Sequence, residues 1–112
     1  MDTLADRRLA GQRRFWKAVA DRIESSDSQA LARALTRLDR WLAQSGVSAA
    51  ERYRRRWRDL IAEGVPATTA QLRADGDDAD TMRSCAPFLD VVSPAERATL
   101  LALTTTARTR DQ

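Results

Sequence analysis

Side chains able to do chemistry near neutral pH are scarce in this sequence. Among its 112 residues there is no histidine and a single cysteine, Cys85. A serine or cysteine nucleophile needs a neighbouring base. Arginine, which supplies all but one of the 19 basic residues, stays protonated and cannot serve. Nor are Ser84, Ser93 or Cys85 placed on a glycine-rich strand-to-helix turn that would present a nucleophile. The 16 carboxylates show no spacing that singles out an acid/base pair. No catalytic residue is assigned, and the chain is expected to be a non-enzymatic protein.

Metal and cofactor chemistry fare no better. The acidic turn Asp75-Gly76-Asp77-Asp78-Ala79-Asp80 has the look of a calcium loop, but Asp80 stands where the loop needs glycine, and Ala86 where it needs a bidentate glutamate. There is no CxxC spacing and no Cys/His set. Asp77 reads instead as the cap of a short helix over 78–85, with Asp78 and Asp80 near its positive end. No metal, cofactor or small-molecule substrate is expected.

Binding remains. Arg33, Arg37 and Arg40 recur at i, i+4 and i+7, an acid-free edge of one helix with Asp39 turned away. With Arg54, Arg55 and Arg58 of the next helix they form a candidate nucleic-acid surface, each neutralised phosphate adding about 0.9 to the logarithmic salt slope. The net charge of +3 permits such a partner without demanding it. On the third helix, Glu51 four residues before Arg55 and Asp59 three after Arg56 answer part of the charge internally.

The segment Leu42 to Ser48 resembles the turn of bacterial helix-turn-helix repressors, with glycine followed by an apolar residue and a cap. The resemblance stops there. Arg52 and Arg55 occupy positions that should pack on the preceding helix, and Leu42 stands where a small residue is usual.

Nucleic acid is therefore the alternative, and a protein partner the first expectation. Leu100, Leu101 and Leu103 spread around more than half of the last helix, and Leu4 and Phe15 flank the main apolar stripe of the first. Surplus apolar surface on so small a domain is expected to dock on another protein, or on a second copy, as a regulatory or accessory module. Phe15, Leu100, Leu101 and Leu103 are the candidate contact residues, with Cys85 a small buried apolar residue.

These residues need helices to position them. Apolar periodicity predicts main helices at 3–24, 28–45 and 48–63. Gly46-Val47 and Gly64-Val65-Pro66 are read as stops and Ser48-Ala-Ala-Glu51 as a capping box. A shorter helical part follows at 66–108, in which Thr68 or Thr69 caps one helix and Ser93-Pro94-Ala95-Glu96 opens the last. Between them Phe88 to Val92 is an apolar link without a strand to pair with. Residues 109–112 are expected to fray.

The fold class is accordingly all-α, a small bundle of three main amphipathic helices plus a C-terminal helical subdomain in one domain, 1–108. Trp16, Trp41 and Trp57, one on each main stripe, are expected to meet in a common core. The arginine bias reads as a GC-rich, hence bacterial, coding sequence. No signal peptide or bilayer-spanning run is visible and the cysteine is alone, so the expected location is cytoplasmic, with no membrane insertion.

Overall fold

In the computed structural model, residues 3–44 and 49–101 are described, and they contain helices and no strand. The fold is all-α. Helices α1 (Leu4–Ser25), α2 (Ala30–Gln44), α3 (Ala49–Glu63), α4 (Val65–Arg73) and α5 (Asp77–Ser84) follow one another. A further helix, α6, spans 94–101, where the described residues end. The expected glycine stop at Gly46, the capping box opening at Ser48 and the frayed tail lie outside the described residues.

Local chemistry accounts for most helix ends. Thr3 opens α1 through a reciprocal capping box: the Asp6 amide donates to Thr3 Oγ1 at 3.0 Å, and the Thr3 amide to the Asp6 carboxylate at 3.1 Å. Ser93 and Glu96 do the same for α6, the Glu96 amide donating to Ser93 Oγ at 3.1 Å. Gly64 closes α3 with its amide shared between the carbonyls of Leu60 and Ile61, then turns the chain at φ +118° into α4, whose first turn holds Pro66. That φ favours glycine.

The threonines expected to cap α4 are inside it and buried. Because Gly64 and Pro66 already set the start of the helix, Thr68 Oγ1 folds back to donate to the Leu60 and Gly64 carbonyls, and Thr69 Oγ1 bridges the Val65 carbonyl and Glu24. Asp77 is likewise the first residue of α5 rather than its cap. The capping position belongs to Gly76, at φ +110°.

Helix α4, nine residues long, is the one on which both α1 and α3 pack, while α2 packs on α3 and α5 on α4. Its two threonines and Leu72 form the buried face. The core runs from Phe15, Trp16, Val19, Ala20 and Ile23 of α1, through Leu72, to Trp57 and Ile61 of α3, with Ala30, Ala34 and Leu38 of α2 at one side. The link between α5 and α6 contributes as much as a helix would, since Ala86, Pro87, Phe88, Val91 and Val92 are all buried.

Trp16 and Trp57 share this core, whereas Trp41 is only partly buried at its edge. Trp57 is fully buried, edge-on to Phe88 with ring centroids 5.5 Å apart. Trp41 remains at the rim because α2 faces the core with two alanines and a leucine, and the indole is covered by the Arg54 guanidinium 5.0 Å from its ring. Cys85 is partly exposed beside Ser84, not buried: it follows α5, on the solvent side of the turn whose buried positions are Ala86 and Pro87.

Candidate functional site

Most arginines of the candidate phosphate surface are engaged in ion pairs within the chain. Arg33 donates to Asp27 at 2.5 Å and to Asp90 at 3.0 Å, and Arg37 approaches Asp90 at 3.3 Å while donating to the Pro87 carbonyl at 3.2 Å. Arg58 pairs with Asp39 at 3.3 Å, the aspartate expected to point away, and Arg55 with Glu51 at 2.7 Å. Arg56 reaches Asp78 of α5 at 3.2 Å rather than Asp59. Of the six arginines of the candidate phosphate surface, only Arg40 and Arg54 have no carboxylate partner among the described residues, and Arg54 lies over Trp41. Two of the three arginines on the acid-free edge, Arg33 and Arg37, are neutralised by acids from elsewhere in the chain, which periodicity on one helix does not reveal.

Other arginines fasten one element to another. Arg73 of α4 donates to Asp21 and Glu24 of α1, each at 2.6 Å, and holds the Glu24 carboxyl down to about 2, with help from Thr69. Arg22 of α1 donates to Glu96 of α6 at 2.5 Å, lowering that carboxyl too. Asp80 accepts from Arg13 Nε at 3.1 Å and Nη2 at 2.7 Å, and also from Arg83. These bonds, Arg13's above all, hold Asp80 at about 2. Arg83 is itself buried, only 3% exposed, and also donates to the carbonyls of Leu72 and Ala74.

Beside this pair lies a groove of about 580 Å³. One wall is α1, the other α6, and α5 with the following link lines the floor between them. Leu4 and Phe15 are eleven residues apart on α1, three helical turns, and so share its groove-facing side. Leu4 is 62% exposed and Leu89, from the link, 46% exposed; these are large apolar side chains held in water next to a hollow. Leu101 borders the opposite side. The rim is basic. Arg7, Arg8 and Arg97 line it, and none has a carboxylate partner among the described residues. Arg97 instead lies over the Phe15 ring at 5.6 Å.

The expected contact residues separate on this geometry. Phe15 and Leu101 come together in the groove, though Phe15 is only 3% exposed. Its burial against Trp16, with centroids 4.9 Å apart, widens the core stripe of α1 beyond the expected set. Leu100 packs against the core, and Leu103 lies outside the described residues. Leu89, Arg7, Arg8 and Arg97 are additions. The first had no periodicity to mark it, and the arginines looked like any solvated face.

Among the described residues no group of three potential metal ligands exists, and no helix is long and apolar enough to cross a membrane. Comparison of the chain with protein-family models, curated proteins and solved structures found no match.

Proposed function

We propose that this chain is a non-enzymatic helical docking module, a regulatory or accessory protein that binds a protein partner through the groove between α1 and α6. One observation carries the reading: exposed Leu4 and Leu89 flank a concave apolar surface whose rim arginines have no acidic partner among the described residues. Such a patch costs solubility unless something covers it, and an apolar centre with an arginine rim is the usual anatomy of a protein interface. The inventory supports binding over catalysis, since no histidine is present and the Asp80 carboxyl in the groove is tied to two arginines. A lone cysteine suits a reducing compartment, and a bacterial cytoplasm is part of the proposal.

Phosphate-backbone binding is less well supported, because Arg33, Arg37, Arg55 and Arg58 are engaged in ion pairs. The test uses partners recovered on the immobilised full chain, then re-expressed and titrated in purified form. Leu4→Asp and Leu89→Asp should weaken binding at least about tenfold without lowering thermal stability, as both side chains are exposed. Undiminished binding by both variants overturns the groove reading. Salt-resistant retention on a polyanion column, lost with Arg33, Arg37 and Arg40 changed to alanine, would restore the alternative.

A further inference from the structure

We infer that the groove receives an acidic amphipathic helix of about three turns from a protein partner. This rests on the docking reading above and adds the chemistry of the partner to it.

Charge comes first. The groove is lined by four arginines and one aspartate, a net of three positive charges, as much as the entire chain carries. Asp80 and Arg83 satisfy each other in the floor. The remaining positive charge is divided between the two walls, Arg7 and Arg8 on α1 and Arg97 on α6. An occupant with carboxylates along both flanks of an apolar stripe meets both walls at once.

Shape selects the secondary structure. From Leu4 to Phe15 the wall rises about 17 Å, which is three turns of a second helix laid alongside. Both walls are helices whose backbone amides bond within their own helix, so the groove offers side chains and no open sheet edge. An extended peptide would gain no backbone ladder here, whereas a helix presenting leucines at i, i+3, i+7 and i+10 fills the floor with side chains.

Other occupants meet the wrong sign or the wrong surface. A second copy docking groove to groove would bring Arg7, Arg8 and Arg97 against the same residues of its twin. The chain beyond Leu101 carries Arg108 and Arg110 against a single acid, Asp111, and so is not complementary to a basic rim. A nucleic acid would leave Leu4, Leu89 and Leu101 facing phosphate.

The experiment titrates the full chain with two synthetic peptides of about four turns. Both share the leucine stripe; one carries glutamate on its flanks and the other lysine. Calorimetry gives affinity, and amide chemical shifts locate the contact. The glutamate peptide should bind at least about tenfold tighter. Each of Arg7→Gln, Arg8→Gln and Arg97→Gln should weaken it about two- to fivefold, and Leu89→Asp should weaken both peptides. Arg14→Gln with Lys17→Gln, exposed on α1 away from the groove, should change nothing.

Equal binding of both peptides in the groove overturns the acidic partner and leaves the docking reading standing. Peptide contacts elsewhere, with Leu89→Asp silent, overturn both. Preference for phosphatidylglycerol vesicles or a DNA oligonucleotide over the glutamate peptide also overturns the inference. So does a concentration-dependent dimer abolished by Leu89→Asp.

Discussion

The indole nitrogen of Trp57 donates a 2.7 Å hydrogen bond to the carbonyl oxygen of Met82, tying α3 to the last turn of α5 inside the core. Burying a tryptophan this completely is favourable only when its N–H finds an acceptor. Trp57→Phe should therefore cost about 1–2 kcal/mol, the low end because the Met82 carbonyl keeps the Cys85 amide as a donor. Trp57→Ala, which also empties the space against Phe88, should cost about 3–5 kcal/mol. Urea unfolding followed by circular dichroism measures both. A Phe variant as unstable as the Ala variant would show that the bond, and not the ring's volume, dominates.

Among the described residues, Asp80 is the one carboxylate paired with the buried Arg83 guanidinium. Replacing it with asparagine leaves that cation in the interior without a countercharge, held only by neutral acceptors such as the Leu72 and Ala74 carbonyls. Asp80→Asn should lose about 2–4 kcal/mol in the same unfolding experiment. Asp78→Asn, whose partner Arg56 is exposed, should stay within about 0.5 kcal/mol.

Acid sensitivity follows from two carboxyls. Glu24 is lowered from 4.5 to about 2, chiefly by Arg73, and Asp80 from 3.8 to about 2, chiefly by Arg13. Between those values the unfolded chain takes up protons that the folded chain refuses. The stabilisation is thus complete above pH 4.5 and drains away as pH falls towards 2. Melting temperature should be flat from neutrality to about pH 5 and drop below it. The double variant Glu24→Gln, Asp80→Asn should start lower and respond less to acid; an unchanged slope would remove these two groups as the cause.

Two arginines on one face of α2 should behave oppositely. Arg33 bridges Asp27, before the helix, and Asp90, in the distant link, so Arg33→Ala should destabilise by about 1 kcal/mol. Arg40, exposed and without a carboxylate among the described residues, should be neutral to within about 0.5 kcal/mol. Thermal melts of the two variants in low and high salt check this, with the Arg33 difference shrinking as salt screens the bridge.

The helices were legible because Trp16, Leu38 and Trp57 fall on regular stripes and because Ser93 and Gly64 mark boundaries through chemistry local to the chain. Relations between distant segments were not. Nothing in the periodicity of α2 announces that Asp90 will neutralise Arg33 and Arg37, or that Asp80 will meet Arg13 sixty-seven residues away. The groove was half visible: Leu4 and Phe15 stand off the main stripe of α1, whereas Leu89 belongs to a segment without a repeating pattern. The place of α4 was hidden for the same reason, since nine residues with two threonines on the buried face carry a weak apolar signature.

That short helix sets an order of events at the ribosome. The stripe of α1 is complete once Ser25 has been made, yet the surface that shields it arrives with Arg73, roughly 2–10 s later at ordinary elongation rates. Until then Phe15, Trp16, Val19 and Ile23 lack the helix against which α1 packs. Chaperone demand during biosynthesis should therefore peak before α4 emerges, and slower decoding between α1 and α4 should lower yield without altering the finished protein.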